Sequence, residues 1–292
     1  MEQVESEAVV ALAAFMRRHP RLFVLTGAGC STASGIPDYR DAAGQWKRRQ
    51  PVNHQDFIAS AAVRQRYWGR SLLGWTTLGS ASPNGAHRAL ASLEASGHVV
   101  QLLTQNVDGL HQKAGSQRVR ELHGSIAEVI CLSCAEVTPR LTLQSRLAAE
   151  NGWLLEQAAS HARTAPDGDA DFETDFSAVT VPVCERCGGI LKPHVVFFGD
   201  TVPKPLVEDA MAHLGEADAL LVAGSSLMVY SGYRFCLKAA ELGKPIIAVN
   251  LGKTRADDLF TLKLEQPCDQ ALPQLLNRLD PSHNNFELNG TL

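Results

Sequence analysis

The chain has 292 residues, of which 45% are hydrophobic and 20% charged, and its formal net charge is −4. This composition is ordinary for a globular protein and argues against nucleic acid or an anionic membrane as a partner. No apolar run approaches the roughly 18 residues of a membrane span. The odd number of cysteines, seven, favours a reducing compartment, so we expect a cytoplasmic protein. Composition sets no oligomeric state and is compatible with a monomer.

The amino-terminal stretch MEQVESEAVVALAAFMRRHP predicts an amphipathic first helix and no targeting segment. Its only long apolar stretch covers residues 8–15. The acidic residues Glu2, Glu5 and Glu7 precede that stretch. A signal peptide carries positive charge there, and transit peptides contain few acidic residues.

Short apolar runs and helical patterns alternate along the rest of the chain. The runs are rich in Val, Leu and Ile and lack strict polar alternation, which is typical of parallel strands buried on both faces. Strands are predicted at residues 22–25, 99–103, 119–122, 195–198, 219–223 and 246–249. Helices are predicted between them at residues 86–95, 207–214, 230–242 and 270–279. This order predicts an α/β fold, a Rossmann-like doubly wound parallel sheet.

Two segments interrupt the alternation and predict a second, smaller domain. Residues 46–84 are rich in aromatic side chains and contain no clear strand. Residues 126–191 contain four cysteines and the tract APDGDADFETD, which we interpret as an exposed acidic loop. The predicted division is a Rossmann-like domain of residues 1–45, 85–125 and 192–282, a small domain of residues 46–84 and 126–191, and a loose tail at 283–292.

The four cysteines of the second segment form two C-x2-C pairs separated by 49 residues: Cys131, Cys134, Cys184 and Cys187. Two such turns can present four thiolates in a tetrahedron, which is the geometry that Zn²⁺ prefers. A shell of four thiolates leaves no open position, so the pattern predicts one structural zinc in a zinc-ribbon module. Redox pairs or unrelated buried thiols are the alternative. The other cysteines, Cys30, Cys236 and Cys268, are expected to be buried thiols.

Polar clusters follow four of the predicted strands, where open α/β sheets bind ligands. The first is the loop LTGAGCSTASGIPDYR, with Gly27, Gly29 and Gly35. The others are residues 104–108, 224–226 and 250–252. Capped turns could explain any one cluster but hardly all four. The glycine spacing is not the dehydrogenase fingerprint G-x-G-x-x-G, and no acidic residue follows a clear second strand about 20 residues on. The loop is therefore expected to hold a dinucleotide in another manner.

A histidine in the segment ELHGS, His123, lies between the second polar cluster and the cysteine pairs. A lone histidine is usually structural. Its position beside a predicted cleft makes it a candidate general base, because a neutral imidazole accepts a proton well near pH 7.

Taken together, these motifs resemble the sirtuins, the NAD-dependent protein lysine deacylases. The matching stretches run in family order from residue 27 to about residue 252: GAGCSTASGIPDYR, TQNVDGLHQKAG, ELHGS, the two C-x2-C pairs, LKPHVVFFGD, VAGSSLMVYSGYRF and NLG. VRQRYWGR, APDGD and GSSLMVYSGYRF resemble the class II branch, which includes a mitochondrial lipoamidase and ADP-ribosyltransferase. Because no mitochondrial leader is recognised, we expect a bacterial relative.

The resemblance implies that NAD is consumed as a co-substrate. In the family, the carbonyl oxygen of acyl-lysine attacks the nicotinamide ribose and nicotinamide leaves. The matching histidine, His123, then deprotonates a ribose hydroxyl, which attacks the imidate. The products are lysine, nicotinamide and O-acyl-ADP-ribose. Asn106 is expected to orient ribose and water, and Asp108 to accept a hydrogen bond from the nicotinamide carboxamide.

The resemblance also implies which residues contact the ligands. The expected NAD contacts are Gly27, Ala28, Gly29, Cys30, Ser31, Gly35, Asp38, Tyr39, Arg40, Gln105, Asn106, Val107, Asp108, Gly224, Ser225, Ser226, Asn250, Leu251, Gly252 and Cys268. The acylated substrate protein is expected to add a strand along Val195, Phe197, Phe198 and Gly199. Tyr67 and Arg70 are candidates to favour an acidic or long acyl chain, such as glutaryl, over acetyl, because a guanidinium binds a carboxylate in a fork. An exposed arginine beside a packed aromatic ring is the alternative.

Three other functions are compatible with parts of the pattern. An NAD-dependent ADP-ribosyltransferase would use the same site and release nicotinamide without forming acyl-ADP-ribose. A zinc-ribbon binding module on an inactive NAD fold is disfavoured, since His123, Asn106 and Asp108 are all present. A zinc-containing dehydrogenase would change the absorbance of reduced nicotinamide.

Overall fold

A computed structural model of the chain describes residues 7–47, 50–158 and 174–279. Most of the predicted acidic loop, and the predicted tail, lie outside these ranges. The strands, in chain order, are β1 (Leu22–Thr26), β2 (Val99–Thr104), β3 (Val119–Glu121), β4 (Gly124–Cys131), β5 (Val137–Pro139), β6 (Leu191–Val195), β7 (Ala219–Ala223), β8 (Ile246–Val249) and β9 (Leu262–Leu264). Six of them form one parallel sheet in the order β3-β2-β1-β7-β8-β9.

The helices alternate with the strands of the parallel sheet, as predicted, with α1 before β1 and α10 after β9. They are α1 (Glu7–Arg18), α2 (His54–Ala59), α3 (Ala61–Ser80), α4 (Gly85–Ala95), α5 (Leu110–Lys113), α6 (Arg140–Glu150), α7 (Gly152–Ala158), α8 (Lys204–Glu216), α9 (Tyr230–Glu241) and α10 (Cys268–Leu279). Gly97 and Gly243 follow α4 and α9 with positive φ angles of 81° and 67°, a conformation that favours glycine after a helix.

Both faces of the parallel sheet are buried, which explains why its strands lack polar alternation. In β1, Leu22 and Val24 pack with residues of α1, α4 and α10, whereas Phe23 and Leu25 pack with residues of α8 and α9 on the other face. Successive side chains of a strand point to opposite faces, so a strand covered on both sides must be apolar throughout. The doubly wound α/β prediction is confirmed.

The strand predicted at residues 195–198 has the wrong bounds and was assigned to the wrong sheet. The strand is β6, and it pairs antiparallel with β4 in a separate three-stranded sheet, β5-β4-β6. Only Val195 of the apolar run belongs to it. Three strands, β4, β5 and β9, were not predicted; β5 and β9 are three-residue edge strands that are too short to show a periodic pattern.

The small sheet and the segment before α4 share a core of their own. Trp68 and Leu72 of α3 pack in one cluster with Val129 of β4 and Leu143 of α6. As predicted, residues 46–84 form no strand where they are described; α2 and α3 occupy most of that segment. The boundaries of the two predicted domains stay a prediction.

Within the described ranges, none of the helices combines the length and the apolar character that a membrane crossing requires.

Candidate active site

A cavity of about 510 Å³ opens at the carboxyl ends of β1, β2, β7 and β8. This is the edge of the sheet at which open α/β folds bind ligands, and the volume suits a small molecule or part of a dinucleotide. The side of the cavity away from the sheet is formed by residues of the chain between β6 and α8.

Most of the predicted contact residues line this cavity. From the expected NAD contacts these are Gly27, Ala28, Gly29, Ser31, Asp38, Tyr39, Arg40, Gln105, Asn106, Val107, Asp108, Gly224, Ser225, Ser226, Asn250 and Leu251. The candidate base and the expected substrate residues that line it are His123, Tyr67, Val195, Phe197, Phe198 and Gly199. Five predicted residues are not part of its lining where the chain is described: Cys30, Gly35, Gly252, Cys268 and Arg70.

Two glycine loops meet backbone to backbone at the floor of the cavity. Gly27 N–H donates to Ala223 O at 3.0 Å, and Gly29 N–H donates to Gly224 O at 2.8 Å. A Cβ atom on Gly224 would lie 2.2 Å from Cys30 N, and its φ angle is +63°. Glycine is therefore required where the loop after β1 crosses the end of β7.

Ser31 orders the polar groups of the first two clusters. Its hydroxyl donates to Asp108 Oδ2 at 2.7 Å and accepts from Asn106 Nδ2 at 3.0 Å. His87 Nε2 lies 3.4 Å from the same oxygen. Asn84 N–H donates to His87 Nδ1, so the proton of this neutral ring is on Nε2, which donates to Ser31. One hydroxyl thus fixes the amide and the carboxylate that the sequence predicted to act on the ligand.

Cys30 and Cys268 are buried thiols in the core, as one expectation for them had it, and they do not line the cavity; their contact with NAD stays a prediction. Both thiols are buried, and their mutual hydrogen bond, together with burial, raises the pKa of Cys30 well above its usual value. Ligand atoms of Cys30, His87 and His111 lie within 4.8 Å of one another. Both ring nitrogens of His87 already make hydrogen bonds, so we interpret this group as a buried support for the loop.

Gly35 and Gly252 also serve the backbone of the loops. Gly35 ends a single 3-10 turn with a φ angle of +83°. A Cβ on Gly252 would lie 2.5 Å from Ala42 O, so this glycine allows the loop after β8 to approach the loop after β1. These glycines shape the walls of the cavity without lining it.

His123 follows β3 and lies beside the cavity. Its Nδ1 is 2.9 Å from Gln105 O, and its Nε2 is 2.8 Å from Ser231 Oγ. Burial lowers the pKa of His123 below 6.5, and the nearby Arg234 guanidinium lowers it further, although the hydrogen bond to Gln105 O opposes both effects. A neutral imidazole next to a cavity is chemically suited to accept a proton.

The wall of the cavity that faces the small sheet is apolar. Ile126, Val195, Phe197 and Tyr67 belong to both this wall and the core cluster of α3 and the small sheet. The ring centroids of Tyr67 and Phe197 are 5.3 Å apart in an edge-to-face contact. Arg70 lies one helical turn after Tyr67 but outside the lining, so the predicted pair brings no guanidinium into the cavity.

Cations line the outer part of the cavity. The Arg40 guanidinium lies 4.0 Å from the centroid of the Trp46 ring and donates to Gly44 O at 2.8 Å. Arg234 and Lys253 also line the cavity, as do the carboxylates of Asp38, Asp41, Asp108 and Asp200. The three cations are therefore specific contacts that suit phosphate groups, and the lining as a whole carries no positive excess.

The four predicted zinc ligands come together at the ends of β4 and β6. The Sγ atoms of Cys131 and Cys187 are 3.4 Å apart, those of Cys134 and Cys184 are 3.8 Å apart, and all four lie within 4.8 Å of one another. Tetrahedral zinc with Zn–S bonds of about 2.3 Å requires sulfur atoms about 3.8 Å apart. The donor set and its spacing therefore fit one zinc ion.

Glycine and backbone N–H groups shape this sulfur cluster. A Cβ on Gly189 would lie 2.8 Å from Cys131 Sγ, so only glycine allows the second pair to curl beneath the first. Backbone N–H hydrogen bonds, chiefly from Cys134, lower the pKa of Cys131 to about 6 and favour its thiolate, whereas burial raises the pKa of Cys184, so without metal the cluster holds its charge on Cys131.

Several residues of the site were not predicted from the sequence, among them Ile126, Arg234 and Lys253 of the lining and two that hold its polar groups, Ser231 and His87. Ser231 was part of the matched segment SLMVYSG, but its contact with His123 joins groups 108 residues apart. His87 opens a helix and gave no signal, because a histidine in a helical pattern is unremarkable. Neither contact follows from local spacing.

Comparison with known proteins agrees with this site. A model of the Sir2 family matches residues 27–231. The chain is 59% identical to NAD-dependent protein deacetylase 2 of Bradyrhizobium diazoefficiens, with 90% of this chain and 95% of that protein covered. It is 57% identical to NAD-dependent protein deacetylase of Xanthomonas campestris pv. campestris, with coverages of 94% and 92%. It is 51% identical to NAD-dependent protein lipoamidase sirtuin-4, mitochondrial, of Bos taurus, with coverages of 92% and 86%.

Solved structures give the same relationship. The structure described as "Sir2-p53 peptide-NAD+" superposes with a TM-score of 0.72 at 29% identity, covering 94% of this chain and 98% of that one. "Sir2 bound to acetylated peptide" gives 0.73 at 28% identity, with coverages of 92% and 98%. The chain therefore belongs to the Sir2 family, the NAD-dependent protein deacetylases.

Proposed function

We propose that this chain is an NAD-dependent protein lysine deacylase that transfers the acyl group of a modified lysine to ADP-ribose and releases nicotinamide. The observation that carries the proposal is the position of His123. Its imidazole lies at a cavity whose floor is formed by the glycine loops and whose polar groups are held in one network through Ser31. Family membership supports the use of NAD.

The residues of the site divide the work by chemistry. The backbone of the glycine loops and the cations Arg40 and Lys253 would bind the phosphate groups of NAD. The Asp108 carboxylate is held by Ser31 and by the N–H of Leu110, which donates to Oδ1 at 2.9 Å. It would accept a hydrogen bond from the nicotinamide carboxamide. The Asn106 amide would orient the ribose and attacking water.

We propose His123 as the general base. Because the pKa of its imidazole is lowered, the ring is neutral at pH 7 and has a lone pair that can take a proton from a ribose hydroxyl. The positive charge that then forms is held by Gln105 O, which accepts from Nδ1–H. A base of this kind typically contributes roughly 10²–10⁴-fold in rate.

The apolar wall suggests where the acyl group binds. A substrate strand along Val195 to Gly199 would place an acyl-lysine beside Ile126, Phe197 and Tyr67. We propose that this wall takes an aliphatic chain, since burying apolar surface there is favourable and the lining offers no arginine from α3. The preference for an acidic chain, expected from Tyr67 and Arg70, is not supported by the position of Arg70.

The four-cysteine module would hold a structural zinc ion. Four thiolates fill the coordination sphere and leave no position for a substrate, so zinc would join β4 to the turn before β6 and take no part in bond making. The odd number of cysteines favours a reducing compartment, and we propose the cytoplasm.

One experiment tests the reaction itself. The purified chain is incubated with NAD and with peptides that carry acetyl-, lipoyl-, succinyl- or glutaryl-lysine, and the products are identified by mass spectrometry. Deacylase activity gives free lysine peptide, nicotinamide and O-acyl-ADP-ribose in equal amounts. Nicotinamide release with ADP-ribose attached to protein, and without O-acyl-ADP-ribose, would show ADP-ribosyl transfer instead. If neither set of products forms, the proposal is refuted.

A further inference from the structure

Two hydrogen bonds hold the His123 ring, one at each nitrogen. The backbone carbonyl of Gln105 lies 2.9 Å from Nδ1, and the Ser231 hydroxyl lies 2.8 Å from Nε2. Ser231 lies in the first turn of α9, where it is buried and lines the cavity. The ring is therefore fixed between the strand side of the site and a helix that reaches it from a distant part of the chain.

These partners decide which nitrogen carries the proton. A carbonyl oxygen can only accept, so Nδ1 carries hydrogen and donates to Gln105 O. In the neutral ring Nε2 is then an acceptor, and the Ser231 hydroxyl must be the donor. The lone pair that would remove a proton from the substrate is thus occupied by Ser231 in the structure described here.

We propose that Ser231 is a positioning residue for the base: its hydroxyl holds the ring by donating to Nε2 of the Nδ1–H tautomer that Gln105 O selects, and it releases Nε2 when a ribose hydroxyl arrives. This inference rests on the proposed deacylase function for its kinetic consequences. The tautomer itself depends only on the contacts of His123.

A hydroxyl suits both protonation states of the ring. Before proton transfer it donates to the Nε2 lone pair. In the transfer step, the proton of the ribose hydroxyl moves to Nε2, and the ribose oxygen keeps the electron pair with which it attacks the substrate. The Ser231 oxygen can then accept from the new Nε2–H, while Gln105 O continues to accept from Nδ1–H. The nearby Arg234 guanidinium disfavours the imidazolium, so this acceptor matters.

Threonine and valine form a matched pair at this position, because they have the same shape and only threonine has the hydroxyl. We expect Ser231→Thr to retain most of the deacylation rate. We expect Ser231→Val to lower kcat for deacylation about 10- to 100-fold, the usual effect of losing a hydrogen bond to a charged group. The KM for NAD should change by less than about twofold, because the loss is confined to the reacting state.

Nicotinamide–NAD exchange separates this role from a structural one. Exchange requires NAD and acyl-peptide but precedes the step assigned to His123. The valine variant should therefore keep its exchange rate while it loses deacylation. An equal loss of exchange and deacylation in Ser231→Val, or equal deacylation by the threonine and valine variants, would overturn the proposal.

Nitrogen NMR tests the contact without any reaction. Long-range ¹H–¹⁵N spectra of the full zinc-loaded chain, labelled in histidine, report the tautomer of each ring, and a His123→Gln variant assigns the signals of His123. We expect the Nδ1–H tautomer with a hydrogen-bonded Nε2 in the wild-type and threonine chains. We expect a shifted Nε2 resonance in the valine chain. Unchanged His123 signals in Ser231→Val would overturn the proposal, whatever the wild-type chain does with NAD.

Discussion

Replacing Gly224 by alanine tests whether the two glycine loops must touch for NAD to bind. Gly224 directly follows β7 and packs against the loop after β1. A Cβ there would lie 2.2 Å from Cys30 N and 2.6 Å from Gly29 C, both of which are backbone atoms. Because no flexible side chain can give way, the loop after β1 must move.

The cost has two parts. The left-handed conformation, with a φ angle of +63°, costs an L-residue about 1–2 kcal/mol. Forcing extra volume into a packed contact costs about 1–3 kcal/mol more, as small-to-large substitutions do in general. We therefore expect Gly224→Ala to lower the free energy of unfolding by about 2–5 kcal/mol. The loop would also carry its N–H groups away from the cavity, which should weaken NAD binding at least about tenfold.

Gly243→Ala is the matched control. Gly243 has nearly the same φ angle, +67°, but no atom lies within 4 Å of the position of its Cβ in the structure. This variant pays only the conformational cost of about 1–2 kcal/mol, and it is remote from the cavity. Urea unfolding measures the stability of both variants, and isothermal titration calorimetry measures their affinity for NAD.

Comparing the two variants tests whether the contact between the glycine loops is needed for NAD binding. If Gly224→Ala unfolds at the same urea concentration as Gly243→Ala and binds NAD as the wild type does, the close contact of the loops is not needed for binding. The assignment of these loops to NAD would then be wrong.

Four further predictions follow from the site. Cys184→Ser should lower zinc content and melting temperature together; a variant that loses zinc but keeps its melting temperature would refute a structural role for the metal. Burial lowers the pKa of His87 to about 4, so below pH 6.5 the unfolded chain binds more protons than the folded one. Stability should then fall as the pH falls from 6.5 to about 4, and His87→Gln should remove about 3 kcal/mol of that change in urea titrations; an unchanged pH dependence would refute this. Since the pKa of His123 is lowered, the acidic limb of the kcat/KM profile should lie below pH 6.5 if His123 is the titrating base, and a limb above that value would contradict the lowered pKa of this base. Arg70→Ala should leave the ratio of kcat/KM for succinyl- and acetyl-lysine peptides unchanged, whereas a selective loss for succinyl-lysine would restore the predicted acidic acyl site.

Much of the fold could be predicted because its signals are local. The strands β1, β2, β7 and β8 are continuous apolar runs, and their burial on both faces dictates that composition. The run 195–198 is equally apolar, and for that reason a strand of the parallel sheet was predicted there. Its residues are apolar because Val195 and Phe197 face the cavity and the core of the small sheet, and not because they cross the parallel sheet.

The site was predictable only in part, because a motif indicates which residues belong to a site but not which side chains are in contact. The carboxyl ends of parallel strands meet at one edge, so the polar clusters after β1, β2 and β7 could be placed together. Cys30 could not be placed, since a residue in a binding loop can face the core as easily as the ligand, and Cys268 begins α10, where no local pattern shows which way its side chain points. The Ser231–His123 contact depends on how α9 packs against the end of β3, and no local pattern in the sequence encodes that arrangement.

The most direct test of the account is the behaviour of His123→Ala. NAD affinity is measured by calorimetry and deacylation by mass spectrometry under single-turnover conditions, with the wild-type chain as reference. The account predicts an unchanged NAD affinity and a deacylation rate lower by roughly 10²–10⁴-fold, as expected for the loss of a general base. Deacylation at close to the wild-type rate would show that His123 is not the base and would contradict the central claim.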